Sequence, residues 1–151
     1  MKLGRLNHVG VATPSIADSI AYYRDIMGAV RITEPFDLPE QGVKVCFVDT
    51  PDGAGEFGKG TQIELIEPFD DASPINGFLA KNPAGGQHHV CYEVEDIEDA
   101  RNWFEGLGKR ILGPTRIGAH GTPIFFLHPK DMMGQLTEIM ERPKDNAHWS
   151  N

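Results

Sequence analysis

Two stretches of the chain repeat one another in order: LNHVGVATPSIADSIAYYRDIMG from Leu6 to Gly28, and QHHVCYEVEDIEDARNWFEGLG from Gln87 to Gly108. Each opens on a His-Val pair in a short strand-like run and passes into an amphipathic helix that closes at glycine. Such a duplication constrains the fold more than any local propensity, because two copies of one supersecondary unit must bury equivalent faces. For the first helix the expected N-cap is Thr13, with Pro14 at the first helical position, and Ile16, Ile20, Tyr23 and Met27 fall on one face before Gly28 stops it. The second is expected to start near Asp96, with Ile97, Ala100, Phe104 and Leu107 facing inward.

After the first helix come strand candidates at Ala29–Thr33, Val43–Asp49 and Thr61–Glu67; after the second come Arg110–Gly113, Pro123–His128 and Gln135–Met140. Both halves therefore read strand, helix, then three strands. The expectation is one α+β domain over residues 1–151, made of two tandem βαβββ modules whose sheets curve around a shared metal-binding cleft. Module 1 covers about residues 5–70 and module 2 about 85–142, joined by a linker helix at about 73–82 and followed by a polar tail, 143–151.

Composition excludes several functions. A formal net charge of −8 supplies no basic stripe for a nucleic-acid backbone. Hydrophobic residues at 40% and charged residues at 24% are an ordinary soluble balance, and no run reaches the length of a membrane helix or a signal peptide, so the cytoplasm is expected. Cys46 and Cys91 both lie in apolar runs and read as buried free thiols.

The chemistry sits in the repeated strands. Period-two alternation groups His8 with the small residues Gly10 and Ala12, opposite Val9, Val11 and Thr13. In the second copy His88 and His89 must point to opposite faces, and equivalence with His8 selects His89 as the inward one. The closing strands TQIELIEP and GQLTEIMERP carry Glu64 and Glu138 at matching places, three residues before Glu67 and Glu141, an odd offset that separates each pair onto opposite faces. A lone strand histidine is usually a satisfied core residue and a lone glutamate usually faces solvent. Two inward histidines with two inward carboxylates in duplicate are explained better by a cation, since a carboxylate inside an apolar strand is costly to bury uncompensated. The set His8, Glu64, His89 and Glu138 suits one divalent ion, Co, Mn, Ni or Zn, better than calcium.

The segments LNHVGVATPS, LPEQGVKVCFV, TQIELIEP, SPINGFLAKNPAGGQHHVCYEVEDI, IGAHGTPIFFLHPKD and GQLTE make the chain resemble the vicinal-oxygen-chelate (glyoxalase/bleomycin resistance/dioxygenase) superfamily, and within it the methylmalonyl-CoA epimerase family, over about residues 5–142. The resemblance implies the same four ligands, an acyl-CoA substrate of the methylmalonyl-CoA kind, and a homodimer. It implies interconversion of the (R) and (S) forms by proton abstraction and return at C2 through a metal-stabilised enolate. Some members carry glutamine where Glu64 stands, and some carry a glutamate acid/base where Val45 stands. Glu138 is then the first acid/base candidate and His120, in IGAHGTP, the second, with a competing reading as a loop residue near the CoA or the dimer contact. Gln62 shares the face of Glu64 and can orient but not titrate. His128 reads as a structural turn residue, His148 as part of the tail, and Lys130 as solvated.

Two rival activities remain open at this level: a glyoxalase-like lyase or isomerase acting on a glutathione adduct with the same ligands, and a metal-free small-molecule binding protein of the same fold. A ring-cleaving dioxygenase would use two histidines and one carboxylate, leaving the fourth residue unexplained.

Overall fold

The computed structural model describes residues 1–144, so His148 and most of the expected tail lie outside the described residues. The first series is β1 (Leu6–Ala12), α1 (Ile16–Ala21), β2 (Phe36–Leu38), β3 (Val43–Asp49) and β4 (Gln62–Pro68). A short helix, α2 (Asn76–Lys81), precedes the second series: β5 (Gly86–Val94), α3 (Ile97–Gly106), β6 (Ile111–Ile117), β7 (Pro123–Leu127) and β8 (Thr137–Glu141). The α+β class and the twofold βαβββ order are as expected. No helix among the described residues is long and apolar enough to cross a membrane.

The compact units do not follow the repeat. One comprises Met1–His8 with the chain from His89 onward, and the other comprises Val9–His88. The first residues join β5 because Gly4 N–H donates to the Glu93 carbonyl at 2.9 Å and Glu93 N–H donates to that of Arg5 at 3.0 Å. A Cβ on residue 4 would sit 2.4 Å from that Glu93 oxygen, so the approach requires glycine.

In the unit containing β5, the strand order is β5-β8-β7-β6, with β5 and β8 parallel and the other pairs antiparallel. Asp96 caps α3 by accepting from Asp99 N–H at 2.9 Å, and Gly108 closes the end at φ 73°. The helix buries Ile97, Ala100 and Phe104 against Val94, Phe125, Leu127 and Ile139. Leu107, expected on that face, is 56% exposed because it already forms the C-cap and has left the helical phase.

In the other unit β2, β3 and β4 are antiparallel neighbours, and Thr13 N–H beyond β1 donates to Ile66 of β4 at 2.9 Å. Ile16, Cys46, Val48 and Leu65 form its core with Val11, Ile20 and Tyr23 packed alongside. Three expectations are corrected here. The N-cap of α1 is Ser15, whose hydroxyl accepts from Asp18 N–H at 3.1 Å; Thr13 instead receives Ser15 N–H at 3.1 Å, so Pro14 lies in the turn before the helix. Residues Tyr22–Ile26 form a π turn, whose wider winding rotates Met27 away from the packed face to 60% exposure. The strand expected at Ala29–Thr33 is reduced to an isolated bridge between Ile32 and Val48, and the ladder resumes at Phe36 opposite Val45. The pairing slips by one residue between those points, where Pro35 has no N–H to donate. Cys46 and Cys91 are both buried and free, and burial pushes the Cys46 thiol above its ordinary value despite its bond to the Thr33 carbonyl.

The second glutamate of each closing strand has a structural role that repeats in both halves. Glu67 Oε1 accepts from Ile16 N–H at 2.9 Å, and Glu141 Oε1 accepts from Ile97 N–H at 3.1 Å. Each carboxylate satisfies an orphan donor in the first turn of its module's helix and meets the positive end of the helix dipole. Glu67→Ala and Glu141→Ala should each lower unfolding stability by about 0.5–2 kcal/mol, measured by urea denaturation with an unchanged slope; wild-type stability in both would contradict the capping role.

Candidate metal centre

Within the unit containing β5, three side chains converge. The Nε2 atoms of His8 and His89 lie 3.3 Å apart, and Glu138 Oε1 lies 3.3 Å from each of them. All three residues are buried, His8 completely. The strand pairing accounts for the meeting: β5 and β8 set Cys91 opposite Glu138, two residues beyond His89 on the same face, while β7 sets Phe126 opposite Glu138 from the other side. The Phe126 ring stands edge-on to His89 at 5.4 Å. His89 joins this cluster, whereas its neighbour His88 packs edge-on against Phe78 at 5.2 Å.

Burial alone would raise the Glu138 carboxyl, but His8 and then His89 hold it well below the ordinary carboxylate range. Three atoms with mutual separations of 3.3 Å share a point about 2.0–2.1 Å from each, the bond length of a first-row metal to imidazole nitrogen or carboxylate oxygen. Two nitrogens and one oxygen are a borderline-hard donor set. These residues therefore fit a divalent ion. The Cys91 sulfur packs with Ile124, Met140 and Phe126, within 4.8 Å of the His8 and Glu138 donor atoms.

His120 is also brought to this cluster. It sits in the β6–β7 loop, which is closed by hydrogen bonds from Gly118 N–H to Thr122 and from Gly121 N–H to Gly118, both at 3.0 Å. Its ring stacks on His8 at 5.3 Å with planes inclined by 20°. His128 is structural, as expected: its Nδ1 accepts from Lys130 N–H at 3.1 Å.

Glu64 lies in the unit Val9–His88, buried in the middle of β4 opposite Phe47 of β3. Gln62 on the same strand donates to Asp49 at 2.7 Å, and Asp49 also meets Arg31 at 3.3 Å. Val45 is buried between Phe36 and Ile66 in the ladder and offers no titrating group. Sequence reasoning missed Arg5, Asn7 and Glu93, which stand behind His8. Their one signal is the polar pair Arg5 and Asn7, two residues apart, the first just before and the second within the strand that the duplication marks.

Residues 7–126 match the Glyoxalase/Bleomycin resistance protein/Dioxygenase superfamily. The chain is 49% identical over 139 residues, covering 91% of it and 97% of the relative, to the ethylmalonyl-CoA/methylmalonyl-CoA epimerase of Cereibacter sphaeroides. It is 45% identical to the mitochondrial methylmalonyl-CoA epimerase of Homo sapiens, covering 91% of this chain and 73% of that one. Among solved structures, a methylmalonyl-CoA epimerase in complex with methylmalonyl-CoA and NH4+ is similar with a TM-score of 0.83 at 30% identity, over 95% of this chain and 97% of the other. The chain belongs to the glyoxalase/bleomycin resistance/dioxygenase superfamily and, within it, to the methylmalonyl-CoA epimerase family. It is an isomerase.

If the cluster holds an ion, Co(II) or Zn(II) added at about 100 times its Kd to chelator-treated protein should stabilise the fold by about 2.7 kcal/mol, read as a rise in the thermal midpoint. Glu138→Gln should lose most of that rise. An unmoved wild-type midpoint would count against the site.

Proposed function

We propose that this chain interconverts (R)- and (S)-methylmalonyl-CoA by moving the proton at C2. The observation that carries the reading is the buried His8–His89–Glu138 triangle, found in a chain whose relatives are named for this reaction. Glu64 is proposed as the fourth ligand, on its equivalence with Glu138 in the repeat.

The barrier to removing the C2 proton is the negative charge that spreads onto the thioester oxygen. A divalent ion bound by these residues supplies Lewis acidity and a template for the two carbonyl groups that flank C2. The chain's own residues must then carry the proton. Glu138 has a second carboxylate oxygen beyond the one facing the histidines, and that oxygen is the proton acceptor in this reading. Inversion needs a second carrier on the opposite face of C2. Val45 cannot provide one, and His120, stacked on His8, is the titratable side chain proposed for that role. A cytoplasmic homodimer belongs to this reading by kinship with the family.

In heavy water, metal-loaded wild type should incorporate deuterium at C2 of methylmalonyl-CoA. His89→Ala should slow exchange by more than about 100-fold, beyond the 10–100-fold typical of losing an outer partner of a ligand. His120→Ala should keep exchange and lose inversion. Absence of exchange by the loaded wild type would sink the epimerase reading, and inversion at the wild-type rate in His120→Ala would remove His120 from it.

A further inference from the structure

Asn7 is completely buried in β1, where a polar amide is tolerated only if its hydrogen bonds are made. Its Nδ2 donates to Glu93 Oε2 at 2.9 Å, and the same carboxylate oxygen receives Arg5 Nε at 2.9 Å. Its Oδ1 lies 2.6 Å from His8 Nδ1. The polarity of this chain follows from the inventory of each group. A guanidinium only donates and an ionised carboxylate only accepts, so the Asn7 atom facing Glu93 must be the NH2. That leaves the amide oxygen facing His8. With the ring proton on Nε2 instead, two acceptors would oppose each other at 2.6 Å. His8 Nδ1 therefore carries a hydrogen, and in the neutral ring that a metal ion requires the lone pair is left on Nε2, the atom that faces His89 and Glu138 at 3.3 Å.

We infer that Asn7, its amide locked by Glu93 and Arg5, is a positioning residue that holds His8 as the Nδ1-protonated tautomer with the Nε2 lone pair directed at the metal centre. A ligand imidazole commonly has its far nitrogen anchored by such a partner, which fixes ring orientation and raises basicity. Here the anchor is neutral, and its direction is enforced by a charged pair one step further out. Arg5 and Asn7 thus matter to the site without supplying any of its three donor atoms.

The inference rests on the metal reading, and its test separates the two. Long-range 15N–1H spectra of the metal-free protein, taken at a pH where the His8 ring is neutral, should show His8 as the Nδ1–H tautomer. Asn7→Leu should bind Co(II) about 10–100-fold more weakly in chelator competition. The exchanged pair Asn7→Asp with Glu93→Gln keeps an acceptor oxygen against His8 and should restore affinity to within a few-fold. A Nε2–H tautomer in wild type, an Asn7→Leu protein that binds Co(II) within threefold of wild type, or an exchanged pair as weak as Asn7→Leu would each overturn the inference. Wild type that binds no Co(II) would overturn the metal reading instead, and the tautomer measurement would still decide the role of Asn7.

Discussion

A carboxylate buried in a strand interior is the demand that organises the unit around β5. Removing an ion from water costs several kcal/mol even after relaxation, and the cost is recovered only where opposite charge or donors are close by. Glu138 has two imidazole nitrogens at 3.3 Å and no water-exposed escape. Delivering those nitrogens requires a parallel β5–β8 pair, an aromatic wall at Phe126, and an N-terminal segment that leaves its own module to lie along β5. The last of these depends on the absence of a side chain at Gly4.

Behind the donors runs a chain of hydrogen bonds in which each member's role is dictated by its chemistry. Arg5 can only give, Glu93 can only take, and Asn7 does both. The outcome at the far end is an imidazole whose lone pair has one direction. His120, stacked on the same ring from the β6–β7 loop, brings a titratable group to the centre.

Much of this was readable from residue order. Two-residue alternation and equivalence between the halves separate His89 from His88, and the apolar brackets around Glu64 and Glu138 mark them as matching positions. The start of α3 was readable because Asp96 is a strong cap. What escaped was of two kinds. Local winding defects, such as the π turn at Tyr22–Ile26 and the slip near Pro35, reflect how the segment docks rather than any propensity it advertises. Long-range partnerships, such as Asn7 with Glu93, join residues 86 positions apart, and a buried asparagine is spelled like an exposed one. The grouping of Met1–His8 with the second module is of this second kind.

Each closing strand carries two carboxylates three residues apart, the second of which bonds to its module's helix. A slip of one residue in β8 would reverse both at once: Glu138 would turn toward apolar packing against α3, and Glu141 would abandon the Ile97 amide. Errors in strand alignment are thus rejected from two sides by groups that do not touch, one electrostatic and one a helix cap. The spacing that serves catalysis in this reading also proofreads assembly.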